Sequence, residues 1–330
     1  MATKLVAFIL AAVLTPVLAI AAPITSLYVV GDSLSDQGNG FILTGGAFPP
    51  LPYDQRASNG PVAVEYFANA LGVPLAASGA GGTNYAVVGA ATGLVGTPPF
   101  ATENVAAILY GQAALEGTSL LSQTGDILGT GPLADPNALF FVWGGANDLF
   151  IDPSLATAGN AIDNLAAIIS MLYGGGARQF LVPNLPDLSL TPSGTSLPPA
   201  QKAGLQLLSI GFNAGLADAL NGLSVLPGID IEQFDTFGLF NAILANPAAF
   251  GFSNTSTPCI TGDLQAGGVV CADPGSYLFW DSVHPTTAAH RVLGNAFAAA
   301  VAEPVPEPAS LTLLSLGIGL AVAARRRRAS

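Results

Sequence analysis

Ala138-Leu139-Phe140-Phe141-Val142-Trp143 runs straight into Gly144-Gly145-Ala146-Asn147-Asp148. Six apolar residues without alternation, stopped by a glycine pair, are the pattern of a strand buried on both faces. Such strands belong to parallel sheets covered by helices on each side. The pattern extends outward in both directions. Residues 26–30 and 84–88 read as strands before this run, and residues 180–182 and 228–233 as strands after it. Helical spacing falls between or beyond them, at residues 61–71, 101–121, 156–173, 200–223 and 286–301. Strands alternating with helices predict an α/β sandwich with a mainly parallel sheet, whose reactive groups sit at the carboxyl ends of strands.

The chain of 330 residues is 51% hydrophobic, enough for a sizeable core and too apolar for a disordered protein. Its net charge is −12, yet four of its nine basic residues lie in one run, Arg325 to Arg328, and a fifth is Lys4. The body keeps Arg56, Arg178, Lys202 and Arg291 against all 21 acids. Such a surface repels phosphate backbones, so nucleic-acid binding, nuclease and phosphatase functions are excluded as leading readings.

Both ends read as addresses. Residues 1–21 form a signal peptide, with Lys4, an apolar run over residues 5–20 and the small-x-small site Ala19-Ile20-Ala21. A membrane helix is the alternative there. At the other end, over residues 303–330, Val305-Pro306-Glu307-Pro308 precedes an apolar stretch and the arginine run. That layout resembles the PEP-CTERM sorting signal of Gram-negative bacteria. The resemblance implies an exosortase-type processing protease as partner, transient inner-membrane anchoring, and a final location in the periplasm, on the outer surface or in the extracellular matrix. A plain single-span anchor is the alternative. Residues 22–302 are then the one folded domain. Cys259 and Cys271, the only two cysteines, enclose a Gly-rich segment and are expected to pair in an oxidising compartment.

Three motifs carry chemistry. Gly31-Asp32-Ser33 presents a serine just after an apolar strand. Gly145-Ala146-Asn147-Asp148 offers close backbone approach and a side-chain amide. Asp281-Ser282-Val283-His284 spaces a carboxylate so that a tight turn can place it on imidazole Nδ1, which leaves Nε2 to take a serine proton. Taken singly, the first two also read as ordinary turns. His290 reads as a surface or packing residue. Two histidines without a cysteine or acidic cluster do not suggest a metal site, and no cofactor is expected.

Order and spacing together are more telling. Gly31-Asp32-Ser33-Leu34-Ser35-Asp36, Gly82-Thr83-Asn84-Tyr85-Ala86-Val87-Val88-Gly89, Gly145-Ala146-Asn147-Asp148 and Asp281-Ser282-Val283-His284-Pro285 resemble, in turn, the blocks of the GDSL, or SGNH, hydrolases. The resemblance spans roughly residues 25–301 and implies a three-layer α/β/α sandwich with a flavodoxin-like sheet. It further implies Ser33 as nucleophile, His284 as general base and then acid, and Asp281 as its orienting partner. The oxyanion hole would be the N–H groups of Ser33 and Gly89 and the amide of Asn147, with Gly82 a rival to Gly89. The implied activity is lipase- or esterase-like hydrolysis of ester or lipid substrates. A carbohydrate O-acetylesterase acting on extracellular polysaccharide and a non-catalytic matrix protein on the same fold are the competing readings.

Overall fold

The computed structural model describes residues 23–302, apart from residue 99 and residues 265–267. The leader read at residues 1–21 and the sorting signal read at residues 303–330 lie outside the described residues.

The chain runs β1 (Ser26–Gly31), α1 (Asn39–Leu43), α2 (Ala63–Leu71), β2 (Ala90–Val95), β3 (Thr102–Asn104), α3 (Val105–Leu109), α4 (Leu120–Gly129), β4 (Ala138–Trp143), α5 (Ala146–Ile151) and α6 (Leu155–Gly175). It continues through β5 (Gln179–Pro183), α7 (Pro192–Thr195), α8 (Pro199–Leu223), β6 (Asp230–Phe234), α9 (Thr236–Ala245) and α10 (Thr287–Ala302). The main sheet is wholly parallel, in the order β1-β4-β5-β6.

Side chains sort across this sheet with a period of two. Leu27, Val29, Leu139, Phe141, Trp143 and Leu181 face one layer, where they join Val64 and Phe67 of α2 and Leu293 and Phe297 of α10. Val30, Phe140, Val142, Phe180 and Val182 face the other, with Ile127 of α4, Leu165, Ile169 and Leu172 of α6, and Phe212 and Leu216 of α8. The uninterrupted apolar run of β4 therefore serves two cores at once, and all six of its residues are buried. The three-layer arrangement read from the sequence is present.

Residues 84–88 depart from a regular strand. Val29 N–H donates to Thr83 O at 3.0 Å, Tyr85 N–H to Val29 O at 2.8 Å and Val87 N–H to Gly31 O at 3.2 Å. The segment lies beside β1 as a fifth, degenerate member, and on its edge away from β1 Asn84 Oδ1 accepts the Ala86 N–H at 3.0 Å. Counting it, the order in the chain is 2-1-3-4-5, the flavodoxin-like order. Its direction reverses between β1 and β4, and there the loops that follow those two strands part to form a crevice.

The helix expected over residues 101–121 is replaced by β3, the short α3 and turns, and the next helix, α4, starts only at Leu120. Gly111 and Gly117 take positive φ of 66° and 80°. The Glu116 carboxylate reaches back to Thr102 Oγ1 at 2.6 Å and to the Glu103 N–H at 2.9 Å. Local polar bonds and two left-handed glycines outweigh helical spacing here. Ser119 then caps α4, its Oγ accepting from the Ser122 N–H at 3.3 Å.

Candidate active site

The crevice at the strand-order reversal collects the motifs. β1 ends in a tight turn in which Asp32 O accepts from Ser35 N–H at 3.0 Å and from Asp36 N–H at 2.9 Å. The turn lifts Ser33 off the end of the strand. The strand end itself is clamped by Gln123 of α4, whose amide accepts from Gly31 N–H and donates to Gly31 O, both at 2.9 Å.

Ser33 Oγ lies 2.9 Å from His284 Nε2, although 251 residues separate them in sequence. His284 Nδ1 is 2.7 Å from Asp281 Oδ2. The other oxygen, Asp281 Oδ1, accepts the backbone N–H groups of Val283 at 2.9 Å and His284 at 2.7 Å. With a carboxylate on Nδ1, that nitrogen carries the proton, and Nε2 is left as acceptor toward the Ser33 hydroxyl. Asp281 is fully buried, and Ser33 and His284 are 6% and 7% exposed.

Charge and burial pull in opposite directions at this pair. Burial alone would push the Asp281 carboxyl up, but the facing His284 and the donors on its oxygens hold it below the usual carboxylate value. Burial alone would push His284 down, but the Asp281 charge raises it above the ordinary histidine value. Two further acids border the site. Asp32 and Asp148 are both pushed up to about 6, chiefly by burial.

Gly89 and Asn147 complete the crevice. Asp36 ties the serine turn to the glycine, its carboxylate accepting Gly38, Asn39 and Gly40 N–H on one side and Val88 N–H at 2.8 Å on the other. Gly89 has φ 80°, and a Cβ there would lie 2.5 Å from Asn104 Oδ1 and 2.8 Å from Ala106 N, so no other residue fits. Asn147 stands in the first turn of α5, and its Nδ2 donates to Ala90 O at 2.9 Å, next door to Gly89. One amide N–H is thereby engaged and the second is left over. Among the described residues, neither the Ser33 nor the Gly89 N–H donates a hydrogen bond. Gly82 N–H, by contrast, is bound to Ala77 O at 3.0 Å, so the rival glycine has no donor to offer. Removal of one donor from such a set costs on the order of 10²–10³ in kcat. Asn147→Ala is expected to lose that much in steady-state ester hydrolysis, with KM nearly unchanged.

Cys259 and Cys271 form the expected disulfide, with Cα atoms 4.9 Å apart. The loop they close is docked on the segment leading into Asp281, with Cys259 N–H donating to Phe279 O at 3.1 Å and Ile260 N–H to Trp280 O at 2.8 Å. Asp263 in this loop accepts the Ser282 N–H at 2.9 Å and also bonds the Ser282 hydroxyl. His290 is a packing residue rather than a surface one. It is fully buried, its Nδ1 accepts the Ala63 N–H at 3.2 Å, and burial presses its pKa down to about 3.

Several residues that organise the site left no mark in the sequence: Tyr53, Gln123, Thr92 and Asp263. Tyr53 is the extreme case, its phenol donating to Asp281 Oδ2 at 2.8 Å across 228 residues. Thr92 holds Asp148 through its N–H at 3.0 Å and its hydroxyl at 2.7 Å. An apolar cavity of about 60 Å³ lies among Leu34, Trp143, Ile243, Leu278, Val283 and Ala289, and Ser33, His284 and Asp281 are not among the residues that line it.

Residues 27–297 match the family model of GDSL-like lipases and acylhydrolases, and residues 304–328 match that of the PEP-CTERM protein-sorting motif. Esterase EstA of Pseudomonas aeruginosa is 32% identical over 336 residues, covering 90% of this chain and 50% of its own length. The thermolabile hemolysin of Vibrio parahaemolyticus is 30% identical, covering 81% of this chain and 62% of its own length. A GDSL esterase/lipase of Arabidopsis thaliana is 27% identical, covering 82% of this chain and 89% of its own length. The chain spans half or less of the length of the first curated relatives it matches.

Proposed function

The chain belongs to the GDSL-like lipase/acylhydrolase family, and from that premise we propose that it is an exported carboxylic-ester hydrolase working through an acyl-enzyme on Ser33. The observation that carries this reading is the unbroken chain Ser33 Oγ–His284 Nε2 at 2.9 Å and His284 Nδ1–Asp281 Oδ2 at 2.7 Å.

Ser33 Oγ attacks the ester carbonyl carbon while its proton passes to His284 Nε2. The imidazolium is stabilised by Asp281, whose carboxylate stays ionised. The carbonyl oxygen becomes an oxyanion and is received by the N–H groups of Ser33 and Gly89 and the free amide N–H of Asn147. Collapse breaks the bond to the alkoxy leaving group, which takes the proton from Nε2. Water then enters, gives its proton to His284 and attacks the acyl carbon, and a second collapse returns the proton to Ser33 Oγ and frees the acid.

The exposed apolar side chains of Leu51, Leu94 and Phe100, in the loops over residues 40–52 and 93–100, support an acyl-chain ester over an acetylated sugar as substrate. The match at residues 304–328 supports export, processing by an exosortase-type protease and a transient membrane anchor. The test is hydrolysis of p-nitrophenyl esters of increasing chain length by the chain and by its Ser33→Ala variant. Turnover that disappears in the variant is the expected result. A folded protein active only on acetylated polysaccharide would move the substrate to the sugar reading, and one inactive on both would overturn the hydrolase reading. The base must be neutral to work, and His284 is held above its ordinary value. The acid limb of kcat/KM is therefore expected above about pH 6.5, and a limb below that value would contradict the charge balance described here.

A further inference from the structure

Asp281 Oδ2 accepts two hydrogen bonds, one from His284 Nδ1 at 2.7 Å and one from Tyr53 Oη at 2.8 Å. Oδ1 accepts two more, from Val283 and His284 N–H. All four acceptor positions of this buried carboxylate are filled, and three of the donors come from its own turn. Tyr53 alone arrives from elsewhere in the chain. It is 1% exposed, with its ring edge-on to Trp280 at 5.9 Å, so no solvent molecule can take its place. Its oxygen also accepts the Leu264 N–H at 2.7 Å, from within the loop closed by Cys259 and Cys271.

We propose that Tyr53 is a positioning residue of the hydrolytic triad, fixing the Asp281 carboxylate against His284 while the disulfide-closed loop fixes Tyr53 through the Leu264 N–H. The proposal rests on the reading of Ser33, His284 and Asp281 as the catalytic groups. Two consequences follow from the bonding. The phenol pins the free side of Oδ2, so the carboxylate does not swing away from Nδ1 during proton transfer. It also draws part of the carboxylate's charge toward itself, which tempers the pull of Asp281 on the imidazolium. Burial and the neighbouring carboxylate push the phenol well above its ordinary value, so it remains a donor throughout the working pH range. Asp263 and Asp32 also face His284, and both carboxyl groups are present in wild type and variant alike.

The decisive measurement is the titration of His284 in the intact chain labelled at histidine, followed by NMR in the wild type and in Tyr53→Phe. With only two histidines in the sequence, and His290 buried with its pKa near 3, the signals are separable. Without the hydroxyl the full Asp281 charge falls on His284, so its pKa is expected to rise by roughly 0.5–1 unit. Ester turnover is expected to fall about tenfold in kcat with KM within about twofold, the scale seen when an orienting hydrogen bond is removed from a ligand group. An unmoved His284 titration overturns the proposal, whatever happens to thermal stability, because a hydroxyl that only fills space does not alter that titration. If Tyr53→Phe fails to fold, reduction of Cys259–Cys271 in the folded wild type tests the same link: His284 rises on reduction, and no movement overturns the proposal. The titration is read without turnover, so a wild type inactive on every ester would count against the hydrolase reading alone.

Discussion

Ser33→Ala is expected to abolish ester hydrolysis while leaving the protein folded. When nucleophile, base and orienting acid act as one unit, losing the nucleophile or the base costs on the order of 10⁶ in kcat. The structural cost should be small, because among the described residues the Ser33 side chain makes a single hydrogen bond, to His284, and none to the backbone. Thermal unfolding of Ser33→Ala should therefore fall close to that of the wild type. His284→Ala is expected to lose a similar factor, and the double variant no more than either single one. A double variant markedly slower than both would mean that the two residues act separately. Steady-state rates on the best p-nitrophenyl ester, measured alongside thermal melts, decide this.

Asp281→Asn carries the second-largest effect, on the order of 10⁴ in kcat through the wrong imidazole tautomer. The reason lies in how the carboxylate is held. Val283 and His284 N–H both donate to Oδ1, so the carbonyl of an asparagine must sit there. Its NH₂ then faces His284 Nδ1 and Tyr53 Oη, where two donors now terminate. The imidazole answers by accepting at Nδ1 and carrying its proton on Nε2, which can no longer take one from Ser33. The expected signature is a collapse of kcat with KM little changed, and a residual rate whose acid limb lies lower than in the wild type because the raising charge is gone. A loss of less than about tenfold would show that Asp281 does not set the tautomer.

Much of the fold was legible because its elements announce themselves locally. The run at β4 is apolar throughout because both faces are covered, and α6 and α8 fell where their spacing placed them. What was not legible turns on polar side chains meeting the backbone. The helix read over residues 101–121 fails at the Glu116 and Asn104 bonds, which spacing does not reveal. The strand at residues 84–88 pairs with β1 through alternate backbone bonds without forming a regular ladder. Helix α9 was not foreseen, since its ten residues are nearly all apolar and carry no amphipathic stripe. At the site, Asp281 and His284 are three residues apart and readable as a pair, whereas their meeting with Ser33 rested on family resemblance. Gly89 is preferred to Gly82 by its offset from Asn84 in the family resemblance, and the bound Gly82 N–H supplies the physical reason. Tyr53 had no signal, because a tyrosine in a proline-rich loop looks like any other.

Helix α10 has a bearing on maturation. The ring of Phe297 lies 5.2 Å from Phe141, 5.8 Å from Trp143, 6.0 Å from Phe67 and 4.8 Å from Phe234, so one side chain near the end of the domain closes an entire aromatic layer. Emptying such a position costs about 3–5 kcal/mol, and a whole domain is stable by only about 5–15 kcal/mol. The sorting motif matched at residues 304–328 begins just past Ala302, the last residue of that helix. The tolerance for error in trimming is thus one-sided. A protease that cuts within the motif leaves the keystone seated, while one that strays a turn or two inward releases a chain with an open core. The folded domain must keep its chain at least through Phe297 for that layer to stay closed.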